Sequence, residues 1–457
     1  MFLKKIGMYL NSRKKNFMAI DNLSHVLPLS TDSTDQGVLR IGGCDVKSLA
    51  NQYGTPLYIY DVQSIRELAL NWVEAFTDAY PDSEVLYASK AYISRPFARL
   101  LSELDLSFDA VSEGEIEVLS AANIDLSRVY FHGNNKTPLE IYRSMELGVG
   151  RIVLDGFEEI DTVAEIAEDL GIVQPVLLRV SPGIDAHTHE KTTTGILDSK
   201  FGLPIETGLA ELAISKILEK SALAFKGLHM HLGSPIFDLE PYKLGIEVLA
   251  EFIDEICIKK LGTSVKEFSP GGGFATAYRG VDNPPSPQEY AEVICKTLIK
   301  EAERRNFSLP HITLEPGRSI AARSGVAVYT VGNRKAVPGI RTYVSVDGGM
   351  SDNIRPALYD SIYEVIAAER VNDPNEEKVT IAGKYCESGD LLAKDVEVPR
   401  LASGELIAIP SSGAYQLAMS SNYNLAYRPA VILVENGQSR LMQRRETSED
   451  LMRLDID

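Results

Sequence analysis

Lys90 closes the apolar run Val85-Leu86-Tyr87-Ala88-Ser89. A lysine at a strand end that enters a cavity is partly desolvated, which lowers its pKa and frees the amine for Schiff-base chemistry. The same lysine just past a strand end is also an ordinary surface residue. Two later apolar runs close in Gly271-Gly272-Gly273 and Glu315-Pro316-Gly317-Arg318. Glycine lets backbone N–H groups approach phosphate oxygens, and Arg318 would add charge. Three glycines can be merely a turn, but two such loops on successive runs are harder to dismiss. Glu315 has the chemistry to hydrogen-bond a protonated pyridine nitrogen and so strengthen an electron sink, or simply to cap a helix or pair with a base. Together these residues point to a phosphate-bearing, carbonyl-reactive cofactor.

His229-Met230-His231 is also a metal-ligand pattern, because period-two alternation puts both imidazoles on one face of a strand. The rest of a hydrolytic metal site is not evident. The first run has no His-x-His and presents Lys90 where such a site would want ligands, so no metal is expected. His231 reads as a stacking or hydrogen-bonding group and His229 as a core histidine. Cys386 lies in Cys386-Glu387-Ser388-Gly389-Asp390, a neighbourhood more polar than core filling requires.

The elements that must position these groups repeat with a clear period. Eight short apolar runs, at 85–89, 106–110, 129–132, 151–154, 176–180, 227–231, 265–269 and 312–315, end in polar or glycine-rich clusters. Several are continuous, as parallel strands covered on both faces should be. Helical signals fill most of the gaps. Phe97, Leu100, Leu101 and Leu104 recur on one helical face. Thr137-Pro138-Leu139-Glu140 and Ser286-Pro287-Gln288-Glu289 are capping boxes with proline at the first helical position. Gly171 and Gly262 stand where left-handed helix stops are expected. The pattern predicts an α/β protein with a (β/α)8 TIM-like barrel, whose reactive groups sit at the C-terminal strand ends and whose phosphate loops follow the last two strands.

After about residue 320 the texture becomes β, with runs at 326–331, 343–346, 379–382, 406–409 and 431–434. Asn436-Gly437 is suited to a two-residue hairpin turn. The run 38–41 has the same character, so the reading assembles a β domain from both chain ends. The expected domains are a basic extension over 1–29, an N-terminal part of the β domain over 30–56, the barrel over 57–320 with 57–60 as its lead-in strand, and the C-terminal β domain over 321–457.

At 457 residues the chain exceeds one ordinary barrel, and its 44% hydrophobic and 24% charged content is that of a globular protein. A net charge of −18 argues against nucleic acid or an anionic membrane as partner. The four cysteines (Cys44, Cys257, Cys295 and Cys386) include no CxxC, which favours a reducing compartment over a zinc site. No apolar stretch approaches the ~20 residues of a membrane span. The first 20 residues carry five basic and no acidic side chains. That fits a disordered start, with Met18 as an alternative initiator, or a transit peptide, and cytoplasm is the default compartment.

With these residues in place, the chain resembles the diaminopimelate decarboxylases of the alanine-racemase-like (fold type III) pyridoxal-phosphate enzymes. The stretches that carry the resemblance are Tyr87-Ala88-Ser89-Lys90-Ala91, Phe131-His132-Gly133-Asn134-Asn135-Lys136, His187-Thr188-His189-Glu190, His231-Leu232-Gly233-Ser234 and Gly271-Gly272-Gly273. They continue through Glu315-Pro316-Gly317-Arg318, Asp347-Gly348-Gly349-Met350, Arg355-Pro356-Ala357-Leu358-Tyr359, Cys386-Glu387-Ser388-Gly389-Asp390 and Gly413-Ala414-Tyr415.

The resemblance implies a homodimer with shared active sites, acting on a small amino acid. It makes Lys90 the lysine joined to pyridoxal 5'-phosphate at rest, Glu315 the partner of the pyridine nitrogen, and His231 the residue stacked on the ring. Phosphate would be held by Ser234, Gly273, the backbone around Gly317, and Tyr415, with Asp109, Pro316 and Arg318 completing the cofactor site. Cys386 would donate a proton in the neighbouring subunit's site. Arg355 would take the distal carboxylate of meso-diaminopimelate bidentately and Glu387 its distal ammonium, with Arg318, Tyr359 and Tyr415 as further substrate contacts. The product would be L-lysine; a related decarboxylase of ornithine, lysine or a polyamine precursor is the alternative. The chain departs from the family at Lys384-Tyr385, at Gln416 and at Tyr427, and the first of these leaves the path of the cysteine loop open.

Overall fold

Eight parallel strands close on themselves in the order of the chain. They are β1 (Ser83–Ala88), β2 (Ser107–Ala110), β3 (Val129–Phe131), β4 (Arg151–Leu154), β5 (Gln174–Ser181), β6 (Leu223–His229), β7 (Glu267–Gly272) and β8 (His311–Glu315). Pairing of Ile312–Leu314 with Ser83–Val85 completes the barrel. The protein is known here from a computed structural model, which describes residues 20, 22–186, 194–195 and 198–456.

The short strands are continuous in burial because both faces are covered: Ser107–Ala110 and Val129–Phe131 are buried at every position. Leu86, Tyr130, Val153 and Leu177 pack together as a core cluster from four of them. Helices α1 (Arg95–Ser102), α2 (Glu113–Ala121), α3 (Pro138–Glu146), α4 (Phe157–Leu170), α5 (Leu209–Leu218), α6 (Glu240–Phe252) and α7 (Pro287–Arg305) fill the crossovers. Thr137 and Ser286 form both expected capping boxes, and Gly171 ends α4 in the left-handed conformation. Among the described residues, no helix is long and apolar enough to cross a membrane.

The N-terminal end of the barrel is closed by charge. Arg151 at the start of β4 reaches Glu267 at the start of β7 at 2.7–3.2 Å. Around β8, His311 bonds Asp82 at 2.7 Å and lies 3.6 Å from Glu84, which Arg128 also approaches at 3.6 Å.

The chain forms two units, one of 66–275 and 284–319 containing the barrel, the other of 1–65, 276–283 and 320–457. In the second, a mixed sheet runs in the order Leu391–Val398, Glu377–Ala382, Arg341–Val346, Gly325–Val337, Leu57–Asp61, Ala430–Glu435, Gln438–Gln443. Leu57, Ile59, Val326, Val328, Ala408 and Ile432 share one buried core with Leu39 and Ile41 near the N-terminus. The β domain is thus built from both chain ends. The strand Leu57–Asp61, expected to lead into the barrel, instead pairs antiparallel with Gly325–Val328 and parallel with Ala430–Val434. All five of its residues are buried, so its continuous apolar pattern could not distinguish the two destinations. Asn436 and Gly437 both take positive φ (51° and 74°), as the hairpin between the last two strands requires.

Candidate active site

The barrel gathers its reactive groups where the strands end. Just past β1, Lys90 sits in a 3-10 turn (Ser89–Ala91) with Nζ 2.9 Å from Asp109 Oδ2 on β2. Asp109 is fully buried, and burial pushes its pKa up against the pull of Lys90. Its other oxygen and the hydroxyl of Ser89 have no hydrogen-bond partner among the described residues.

Glu315 at the end of β8 is the electrostatic centre of the barrel mouth. Ser269 Oγ donates to Oε1 at 2.9 Å, and His229 Nε2 lies 2.9 Å from the same oxygen and 3.2 Å from Oε2. Burial pushes Glu315 up, but His229 and His132 outweigh it and hold the carboxyl well below its ordinary range. His132, at the end of β3, stands 3.7 Å from Oε1 and packs edge-on against His229 with centroids 4.9 Å apart. Burial keeps His132 neutral to a pH well below 6.5. His132 Nε2 and His229 Nδ1 are both buried without a hydrogen-bond partner among the described residues.

His229 therefore pairs with Glu315 and His132, not with His231, and His132, Glu315 and His229 are the described residues that come close enough together to share an ion. His231 lies beyond the last residue of β6, so strand alternation does not reach it. Its Nδ1 accepts the N–H of Gly272 at 3.2 Å, which leaves the proton on Nε2. Burial first, then the charges of Arg179 and Lys90, hold this imidazole neutral.

The glycine loops are close-built. A Cβ on Gly273 (φ +101°) would stand 2.1 Å from the carbonyl oxygen of Gly233, and one on Gly317 would stand 2.8 Å from Cβ of Ala88. The carbonyl of Pro316 accepts the N–H of Ala88 at 3.2 Å, tying the eighth loop to β1. Arg318 Nη2 donates to Ser234 Oγ at 3.3 Å. These loops bring together Ser234, Gly273, Pro316, Gly317 and Arg318.

Sequence reasoning gave Lys136, Asp155 and Arg179 no role. The Lys136 ammonium is buried and uses its donors on Gly133 O (2.7 Å), Val153 O (2.8 Å) and Glu159 (2.5 Å). Glu159 also accepts from the Asp155 N–H at 2.7 Å, and Arg179 stands 3.9 Å from Asp155 and 4.6 Å from the Phe201 ring centroid. The clue was that three successive strands, β3, β4 and β5, carry His132 with nearby Lys136, Asp155 and Arg179 at or near their C-terminal ends, all polar.

In the β unit, Arg355 is buried, and the ring centroids of the half-buried Tyr359 and Tyr415 lie 5.6 and 5.4 Å from its guanidinium carbon. Cys386 and Glu387 are exposed on a separate loop, and Tyr423 Oη donates to Glu387 at 2.8 Å. Lys384 and Tyr385 pin that loop. The Lys384 N–H donates to Gly348 O at 3.1 Å, the Tyr385 N–H donates to Asp390 at 2.8 Å, and the Tyr385 hydroxyl bonds Ser351. Gln416 is fully buried and accepts from Tyr58 Oη at 2.8 Å, while Tyr427 is exposed. All four cysteines are free, and Cys386 alone is exposed. The stretch His187-Thr188-His189-Glu190 and the basic N-terminus lie outside the described residues.

The donor set of the barrel fits a phosphorylated pyridine aldehyde: an amine, an ionised carboxylate, a neutral imidazole and glycine loops too tight for a side chain. The class of protein this defines agrees with the family that residues 62–322 match, the pyridoxal-dependent decarboxylases at their pyridoxal-binding domain. Among curated relatives, the chain is 44% identical to the diaminopimelate decarboxylase of Bacillus subtilis over 92% of this chain and 95% of that one. It is 41% identical to that of a Synechocystis species over 94% and 93%. The crystal structure of diaminopimelate decarboxylase from M. jannaschii in complex with L-lysine superposes with a TM-score of 0.88 at 32% identity, covering 94% of this chain and 98% of that one. The chain belongs to the diaminopimelate decarboxylase family of pyridoxal-dependent decarboxylases.

Proposed function

We propose that this chain removes carbon dioxide from meso-2,6-diaminopimelate to give L-lysine, the last step of lysine biosynthesis, with Lys90, His231 and Cys386 as its catalytic residues. The observation that carries the reading is the convergence of Lys90, Asp109, His231 and Glu315 with two glycine loops at one end of one barrel. Bound pyridoxal phosphate supplies a carbonyl for the substrate amine and a protonated ring that takes up the electrons of the broken Cα–carboxylate bond.

Each residue then has a part set by its surroundings. Lys90 Nζ, 2.9 Å from Asp109, would hold the cofactor through its aldehyde carbon. Glu315, ionised and fixed by His229 and Ser269, would accept the ring N–H. His231, neutral, would hold the ring. Ser234, Gly273, the backbone of Gly317 beside Pro316, Arg318 and Tyr415 hold the phosphate. Arg355, with Arg318, Tyr359 and Tyr415, takes the distal carboxylate. Glu387, held by Tyr423, takes the distal ammonium.

Cys386 Sγ would be the proton donor to Cα, in the site of a second copy of the chain. The exposure of Cys386 and Glu387, together with Leu425 and Tyr427 at 72% and 46%, suits a surface that such a homodimer covers. The M. jannaschii relative holds L-lysine, the product this reaction gives, and the cytoplasm is where we place it. Carbon dioxide release from diaminopimelate, ornithine and lysine, compared on one preparation, tests the reading. Diaminopimelate should be turned over fastest by a wide margin, and faster release from ornithine would reject the assignment.

A further inference from the structure

Arg355 is a buried cation without an acidic partner. Among the described residues no carboxylate pairs with it, and the residue is only 7% exposed. What holds it is neutral: Nε donates to Tyr363 Oη at 2.9 Å and Nη2 to Ser361 Oγ at 3.4 Å. The ring centroids of Tyr278, Tyr359 and Tyr415 lie 5.8, 5.6 and 5.4 Å from the guanidinium carbon. Tyr363 is itself buried (1% exposed) and packs edge-on against Tyr278 at 5.3 Å. A buried guanidinium whose side-chain partners among the described residues are rings and hydroxyls has strong reason to take an anion.

The orientation of that anion is set by which fork is used. A guanidinium offers a side-on fork of Nε and one Nη and an end-on fork of the two Nη groups. Tyr363 takes Nε, which only the side-on fork uses, and Ser361 takes Nη2, which both forks share. Nη1, which only the end-on fork uses, donates to none of the described residues.

We propose that Tyr363 is a specificity-positioning residue: by holding Nε of Arg355 it commits the side-on fork to the protein and presents the end-on fork to a carboxylate at the far end of the substrate. The enzyme thereby selects amino acids that carry a second carboxylate. This rests on the reading of Arg355 given above. Decarboxylation at one end of diaminopimelate leaves the other carboxylate on L-lysine, whereas 1,5-diaminopentane has none, so the two ligands differ in the group that Arg355 would hold.

Both ligands are titrated into the holoenzyme and followed by cofactor absorbance, beside steady-state kinetics. Tyr363→Phe keeps the ring and removes the acceptor. We expect L-lysine to bind about tenfold more weakly and KM for diaminopimelate to rise by a similar factor, from the loss of a hydrogen bond to a charged group. Binding of 1,5-diaminopentane and kcat should stay within about twofold. Ser361→Ala, which removes the longer bond without disturbing the rings, should weaken L-lysine about two- to threefold and leave 1,5-diaminopentane unchanged. Equal weakening of both ligands, or unchanged L-lysine binding in both variants, overturns the proposal. Arg355→Lys separates the two readings. If it leaves L-lysine binding intact, the carboxylate role of Arg355 fails; if it weakens L-lysine while Tyr363→Phe does not, the positioning role alone fails.

Discussion

His311 should make the barrel's stability depend on pH without touching its chemistry. Glu84 at 3.6 Å and Asp82 at 2.7 Å hold this imidazolium up, to a pKa of about 9, against partial burial. A folded-state pKa raised above the ordinary 6.5 contributes stability that is complete below about pH 6.5 and is lost as pH rises through about 9. At about 1.4 kcal/mol per pH unit the interval sets a ceiling of roughly 3 kcal/mol. The His311 side chain is 30% exposed and Asp82 is 70% exposed, so solvent screening reduces this to about 1–2 kcal/mol. Urea unfolding of the cofactor-free protein at pH 6 and pH 10 measures it. The parent should lose about 1–2 kcal/mol more than His311→Gln over that interval, the two converging at pH 10. Because the cluster lies at the N-terminal ends of the strands, kcat should be unchanged in the variant. Identical pH dependence in the two proteins would refute the assignment.

Gly273→Ala should weaken cofactor binding by at least about tenfold, because φ is +101° and the new Cβ would meet the Gly233 carbonyl; absorbance titration with pyridoxal phosphate reads it, and unaltered affinity would count against a cofactor loop. Lys136→Met removes an ammonium that satisfies Glu159 and two carbonyls. It should cost about 3–5 kcal/mol, seen as a fall in Tm of roughly 10 °C. Cys386→Ala should lower kcat by about 10²–10⁴-fold while the cofactor chromophore persists, and loss of the chromophore would contradict a role confined to proton donation.

The sequence displayed most plainly what is local. The capping boxes at Thr137 and Ser286, the left-handed stop at Gly171 and the Asn436-Gly437 turn are each set by a few neighbouring residues, and each appears as read. The barrel was legible because its strand ends repeat with chemistry on them. Leu57–Asp61 was not, since a strand buried on both faces looks the same in either unit and its partners lie some 270 and 370 positions away. The company of His229, read as a core histidine, was hidden for a related reason: its neighbour is His132, just past another strand, not His231 two residues on. The tyrosines around Arg355 come from three separate stretches of chain, and no spacing within one stretch signals them.

The central claim is that Lys90 Nζ carries the cofactor. Borohydride reduction of the yellow holoenzyme, followed by proteolysis and mass spectrometry, tests it directly. The account predicts one pyridoxyl-phosphate group per chain, on the peptide containing Tyr87-Ala88-Ser89-Lys90, and none in Lys90→Ala. A label on any other lysine, or no label after reconstitution, would contradict it.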